Sequence, residues 1–393
     1  MAPAFVDFSN TQVAFATKSD KELRRSHLLF RMMRITPLVK VGPKLVGAAL
    51  RISLPISGVL KATIFRQFCG GETLKECLPT LNALKAAKIR TILDYAVEGG
   101  ARGVDKENAV AEVLRTIEFA AQNPMVSFSV FKPSGLTSFQ VLEKRDRGET
   151  LTHDEEAEFQ AFRGRVDRLC QAAHAANVRI FIDAEESWIQ DSIDQITYEM
   201  ILKYNQERAI VFTTIQLYRH DRLQFFRDLI RRVQRQGKKL GVKLVRGAYL
   251  EKENARAAKL EVPSPIQATK EDTDRDYDAA IHLALVEAET VSFCVGTHNE
   301  QSSQLAARLM VERGMTPDDP RCEFAQLYGM GDHISFNLAR SGYNASKYVP
   351  YGPIGEVMPY LFRRAEENNS IRGQTGRELT LITEELRRRG LKL

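Results

Sequence analysis

The stretch THDEEAEFQAFRGRVDRLCQAAHAANVRIFIDAE, residues 152–185, holds the pattern that decides the fold. Thr152-His-Asp-Glu155 is a capping box, in which the threonine hydroxyl and the glutamate carboxylate each satisfy the other's backbone N–H at a helix start. A charged, helix-period segment runs from there toward Ala176 and gives way at once to the apolar run Val178–Ala184, which has the composition of a short strand. A helix that hands over directly to a buried strand is the repeating unit of a parallel sheet.

Working outward, the same alternation begins near Leu84 and continues toward the C-terminus. Strands are predicted at Ile89–Val97, Val126–Lys132, Val178–Ala184, Ile210–Tyr218, Gly241–Gly247, Val291–Thr297, Cys322–Tyr328 and Ser346–Tyr351. Eight such units over roughly 280 residues fit an α/β chain folded as a (β/α)8 TIM-like barrel better than a doubly wound sheet. A nucleotide-binding open sheet would also carry GxGxxG after its first strand, and the chain contains no such sequence. A last helix, from about Glu378 to Arg389, ends in three arginines followed by Gly390, a basic final turn with a C-cap glycine.

Ahead of the barrel lies a stretch of different character. Leu23 to Gly71 holds nine basic residues, Arg24, Arg25, Arg31, Arg34, Lys40, Lys44, Arg51, Lys61 and Arg66, and no acidic one. They interleave with Leu28, Leu29, Phe30, Met32 and Met33, and Pro37, Pro43 and Pro55 break the stretch into short helical segments. The expected organisation is an N-terminal basic helical arm (1–85), the barrel (86–375) and a C-terminal helix (376–393). With 44% hydrophobic and 27% charged residues in 393, the chain is an ordinary globular one, which excludes disordered, collagen-like and disulfide-scaffold classes. The nine-residue run Ile52–Leu60 falls short of the ~18–20 residues of a membrane span, and the N-terminus lacks the pattern of a secretory signal. A cytoplasmic or organellar protein is expected. Its five cysteines, at 69, 77, 170, 294 and 322, show no zinc or disulfide spacing and read as buried thiols.

Barrel enzymes build their sites at the C-terminal ends of the strands. Those ends are polar here: Asp94 and Tyr95, Lys132, Asp183 and Glu185, Gln216 and Tyr218, Lys243 with Arg246 and Tyr249, Thr297-His298-Asn299, Gln326 with Tyr328, and Tyr348. After the last strand, Tyr360, Arg363, Arg364 and Glu367 fall at i, i+3, i+4 and i+7, so a polar stripe holds the place of a core stripe. It is either a solvated face carrying an Arg363–Glu367 ion pair, or a pair of guanidinium groups set to clamp a carboxylate or phosphate. The seven histidines show no metal spacing, so no metal site is expected. Lys132 and Lys243, at strand ends, are also where a Schiff-base lyase or aldolase would place its lysine.

Seven ordered motifs give the chain a resemblance to the FAD-dependent proline dehydrogenases, a family with a distorted (β/α)8 barrel. They are Phe68-Cys-Gly-Gly-Glu-Thr73, Leu93-Asp-Tyr-Ala-Val-Glu-Gly99, Ile182-Asp-Ala-Glu185, Val242-Lys-Leu-Val-Arg-Gly-Ala-Tyr249, Thr297-His-Asn299, Gln326-Leu-Tyr-Gly-Met330 and Tyr360-Leu-Phe-Arg-Arg-Ala-Glu-Glu-Asn368. The resemblance implies oxidation of L-proline to Δ1-pyrroline-5-carboxylate, with hydride passing from proline C5 to FAD N5. It makes Arg363, Arg364 and Lys132 ligands of the substrate carboxylate, and Glu367 the acid paired with the arginines. Tyr348 covers the substrate ring, and Leu327, Ala248 and Tyr249 line the pocket.

The resemblance further assigns Gln216, Lys243, Arg246, Thr269, Lys270, His298 and Asn299 to FAD, and Lys132, Asp183 and Lys243 to the catalytic set. Lys243 stands where many bacterial members have arginine, and Phe131-Lys-Pro-Ser134 departs from the pattern of bifunctional relatives. Length implies a monofunctional enzyme. The expected partners are L-proline, a quinone electron acceptor and, through residues 23–71, a membrane surface, with no nucleic acid. A peripheral place on the inner face of the membrane follows, in the mitochondrion if the source is eukaryotic.

Overall fold

The structure is a computed structural model and describes residues 5–33, 57–96, 105–358, 360–361 and 374–392. Eight strands form a closed barrel in chain order. They are β1 (Arg90–Tyr95), β2 (Val126–Phe131), β3 (Arg179–Ile182), β4 (Val211–Gln216), β5 (Leu240–Val245), β6 (Val291–Gly296), β7 (Cys322–Leu327) and β8 (Ala345–Tyr351). All eight coincide with strands expected from the sequence, with ends that differ by a residue or two; β5 and β8 start one residue earlier than expected and the other differences are trims. The paired strands run parallel, β1 on β8 and β2 through β5 each on the next.

Around them lie α1 (Asp20–Met33), α2 (Leu74–Ala86), α3 (Lys106–Gln122), α4 (Phe139–Asp146), α5 (His153–Ala175), α6 (Gln190–Tyr204), α7 (Arg222–Arg235), α8 (Leu250–Leu260), α9 (Lys270–Val286), α10 (Glu300–Glu312), α11 (Asp332–Arg340) and α12 (Gln374–Arg388). The capping box forms as read: Glu155 N–H donates to Thr152 Oγ1 at 3.3 Å, and Thr152 N–H to Glu155 Oε2 at 2.9 Å. α12 begins four residues earlier than expected and ends, as expected, at a left-handed Gly390 (φ 69°). Among the described residues no helix is long and apolar enough to cross a membrane. The five cysteines are buried thiols.

Two compact units make up the chain, residues 99–324 and the pair of segments 1–98 and 325–393. In the first, alternate strand residues share a face, and one face is packed with aromatic rings. Phe128 of β2 stacks on Phe181 of β3 with centroids 3.9 Å apart, and Phe212 of β4 meets both edge-on at 5.0 and 5.6 Å. Gly241 makes room for this cluster. It is the register partner of Phe212, and a Cβ there would lie 2.5 Å from the ring. Arg179 lies over the Phe128 ring at 4.0 Å and pairs with the buried Glu323 at 2.6 Å.

In the second unit, a hydrophobic cluster gathers Phe15, Leu23, Phe30 and Met33 from the N-terminal segment with Phe68, Met330, Tyr360, Leu381, Ile382 and Leu386. Phe30 and Phe68 meet edge-on at 6.3 Å. Arg389 fastens the two ends, donating to the carbonyls of Phe15 and Lys18 at 2.8 Å and to Asp20 at 2.9 Å. Part of the arm's apolar content is therefore core, while Leu28 and Met32 stay 58% and 42% exposed. Tyr360, expected on a polar stripe, is buried in this cluster, because its ring outweighs its hydroxyl once the helix packs inward.

Gly241→Val puts branched carbon into the Phe212 ring and should cost about 1–3 kcal/mol, the usual penalty of overpacking. Urea and thermal unfolding check it; a midpoint equal to that of the wild type would contradict the packing described.

Candidate active site

Strand alternation carries the ring-packed face of β2 to β5 upward to Lys132, Asp183, Gln216 and Lys243. Lys243 is buried, sits 4.8 Å above the Phe181 ring and hydrogen-bonds Asp183. A cation and a carboxylate at the top of an apolar core are tolerable there because each compensates the other's lost hydration. Thr214 ties the same strands by donating to the Ile182 carbonyl at 3.0 Å.

The ends of β2 and β3 are latched. Ser134, in the turn Pro133–Gly135 that follows Lys132, gives its N–H to Glu185 at 2.7 Å and its hydroxyl to the other carboxylate oxygen. Behind Glu185 a chain of buried polar contacts runs from Gln190, which accepts the Glu185 N–H at 2.9 Å, to Asp194 at 2.9 Å and on to Arg222 at 2.7 Å. Burial pushes the Glu185 carboxyl up to about 7, with Glu186 adding to the shift and Ser134 and Lys132 opposing it. The resemblance assigned no role to Glu185. Its spacing two residues beyond Asp183 was the available signal, since it puts both acids at one strand exit.

Beyond β5, Arg246 is held by Asp274 at 2.7 Å, Thr297 Oγ1 at 2.7 Å and Ser302 Oγ at 3.0 Å, over the Tyr277 ring at 4.3 Å. Lys270 pairs with the other oxygen of Asp274. Thr269 and Asn299 are the N-caps of α9 and α10, accepting from Asp272 N–H at 3.1 Å and Ser302 N–H at 3.0 Å. His298 is half-buried beside Asn299. The residues assigned to FAD thus group at the exits of β4, β5 and β6. Ala248 and Tyr249 follow on the β5–α8 connection, with Tyr249 buried.

Leu327 and Tyr348 lie in the second unit, where Tyr328 N–H donates to the Tyr348 carbonyl at 2.9 Å. Arg363, Arg364 and Glu367 lie outside the described residues.

One observation tests whether a flavin suits this donor set. Gln216 is only 3% exposed, yet its side-chain amide makes no hydrogen bond among the described residues. A buried amide normally has a partner, so an uncommitted one at a strand exit is suited to a ligand. With the Lys243 ammonium and the Arg246 guanidinium it supplies donors for a heterocycle rich in acceptor atoms. The residues fit.

A filled parallel barrel whose strand ends carry charged and amide groups defines a (β/α)8 enzyme site. The family model for proline dehydrogenase matches residues 77–377, and the chain belongs to the proline dehydrogenase family, flavoprotein oxidoreductases of proline catabolism. It is 31% identical over 426 residues to mitochondrial proline dehydrogenase 1 of Dictyostelium discoideum, covering 97% of this chain and 74% of that one. It is also 31% identical over 426 residues to hydroxyproline dehydrogenase of Bos taurus, covering 96% and 92%. Among solved structures it is similar to proline utilization A from Bdellovibrio bacteriovorus inactivated by N-propargylglycine, with a TM-score of 0.70, 19% identity, and coverage of 92% of this chain and 38% of that one. That likeness concerns the fold.

Glu185→Gln removes the buried acid. Because the native carboxyl titrates near 7 and the unfolded one near 4.5, the wild type loses stability as pH rises through that window. The variant's stability relative to wild type should therefore climb from about pH 5 to pH 7 and level off above, as read by urea unfolding across that range. A pH-independent difference would show that Glu185 keeps an ordinary carboxyl.

Proposed function

We propose that this enzyme uses FAD to oxidise L-proline to Δ1-pyrroline-5-carboxylate and passes the electrons to a membrane quinone. The observation that carries this reading is the family match over 77–377 together with the Lys243–Asp183 pair and the uncommitted Gln216 at the exits of three successive strands.

Gln216, Lys243, Arg246, Thr269, Lys270, His298 and Asn299 hold the cofactor, with Thr269 and Asn299 acting from helix starts that favour an anion. When bound, FAD supplies the acceptor for the hydride that leaves proline C5, while the ring nitrogen gives up a proton as the C=N bond forms. The chain's own contribution is position and charge. Lys132, Arg363 and Arg364 fix the carboxylate, and Glu367 orients the guanidinium groups. Tyr348 covers the ring, and Leu327, Ala248 and Tyr249 line the pocket. Anchoring one end of a small ring converts binding energy into orientation of the reacting carbon. Asp183 holds Lys243 in position, so that Lys243 would offer a fixed hydrogen-bond donor to the cofactor.

Delivery of electrons to quinone calls for contact with a membrane. On α1 the exposed Leu28 and Met32 sit beside the exposed Arg24 and Arg31, the composition of an interfacial face. Arg24 and Arg31 would add attraction to an anionic leaflet, about 1 kcal/mol for each cation near the surface. The place of action is then the inner membrane face, mitochondrial in a eukaryotic cell.

Purified enzyme should be yellow and lose its flavin absorbance anaerobically on adding proline. Arg363→Met and Arg364→Met should retain the flavin but raise the proline concentration needed, for a loss of roughly 2–5 kcal/mol in kcat/KM. Wild-type kcat/KM in either variant refutes the clamp. A colourless protein trapped with a carbonyl substrate by borohydride would establish instead a Schiff-base lyase on the same barrel. Comparing 4-hydroxyproline with proline in wild type and Tyr348→Ser tests the ring cover, because a smaller residue should narrow the preference for proline. For the arm, co-sedimentation should favour anionic over neutral vesicles at low salt and lose that preference at high salt; equal sedimentation would remove the membrane role.

A further inference from the structure

Within the second unit, α1 and its preceding turn, the short helix Arg66–Phe68, α2, α11 and β8 enclose a cavity of about 120 Å³. Its walls carry four cationic side chains, Lys18, Arg25, Arg66 and Lys347, against two carboxylates, Glu22 and Asp332. The carboxylates are largely spoken for. Asp332 takes Lys347 at 2.8 Å and Lys18 at 3.0 Å. Burial raises its pKa, but the two lysines prevail and hold it well below the usual carboxylate range. Glu22 accepts the N–H and hydroxyl of Ser19 at 3.0 and 2.8 Å and stands 3.7 Å from Arg66.

Arg25 is left over. It forms no ion pair among the described residues, and its Nε is buried without a hydrogen-bond partner. Burial destabilises its charge and the like charge of Arg66 adds to this, with Glu22 and Tyr328 opposing it only in part. The neighbouring wall is rigid: Ser26 Oγ donates to Gln67 Oε1 at 2.9 Å, and Gln67 Nε2 to the Gly329 carbonyl at 2.7 Å. Ser26 and Gln67 are thus committed to each other and to Gly329 rather than to Arg25. The cavity has room for a tetrahedral oxyanion, and the largely exposed Arg66 lies at its open side. Guanidinium forks match such an anion bidentately, and an unpaired buried cation favours it.

We propose that this cavity is a binding site for a phosphate-type oxyanion, held by Arg25 and Arg66, that locks α1 onto the rest of its unit. It is separate from the residues assigned to proline and FAD.

Isothermal titration of the purified full-length holoenzyme with inorganic phosphate, at constant ionic strength set by sodium chloride, should give one saturable site. Arg25→Gln and Arg66→Gln should each weaken it by about tenfold or more, the loss of one charge-assisted contact. Thermal unfolding provides the second readout, because a ligand that binds only the folded state raises the melting temperature with concentration. That rise should appear in wild type and shrink in both variants. Glycerol phosphate in the same titration separates sources: equal affinity assigns a phosphoryl head group, and phosphate binding without ester binding assigns the free ion. No saturable binding by wild type, or unchanged affinity in both variants, overturns the site. Arg66 is largely exposed, so its variant should fold even if Arg25→Gln does not.

Discussion

The interior of the barrel has to be filled, and the phenylalanine cluster of β2, β3 and β4 is what fills its middle in residues 99–324. Three rings within 3.9–5.6 Å of one another leave no space for water, so charged groups on the same faces can stand only below or above them. Arg179 and Glu323 take one side, and Lys243 and Asp183 the other. Each ion is desolvated and each is paired, which is the condition under which a buried charge is tolerated. The polar strand exits are a consequence of that apolar plug as well as of chemistry.

How much of this the sequence discloses depends on range. Period-2 runs and a capping box are local, and the eight strands and the start of α5 were legible from them. The strand-end positions of Lys132, Asp183, Gln216 and Lys243 followed from the same periodicity. What escaped was long-range. The Ser134–Glu185 latch spans fifty-one positions, and the Arg389 contacts with Phe15 and Lys18 span more than three hundred and seventy. Tyr360, read at a core-facing position of its helix, is buried in the cluster as that position implies.

The same rule of compensated charge governs the second unit, with a different outcome. Asp332 there pairs with two lysines, whereas Arg25, one turn of helix beyond Glu22, has that carboxylate's attraction but no hydrogen bond at its Nε. Near the strand exits of the first unit, by contrast, Arg246 commits three of its five N–H groups to the protein. An arginine so committed can act as a fixed electrostatic wall, while an uncommitted one is free to respond to what enters beside it.

The division of the chain also bears on how the protein is made. Residues 99–324 are contiguous and hold five strands that pair among themselves, so they can begin to pack while the remainder is still being synthesised. The other unit draws β1 and α1 from the start of the chain and β8 and α12 from its end. Phe15, Leu23, Phe30 and Met33 must therefore wait for Leu381, Ile382 and Leu386, and for Arg389 to close over Phe15 and Lys18. A basic, apolar segment is thus synthesised well before the residues that cover it, and its apolar side chains stay exposed on the nascent chain until those arrive.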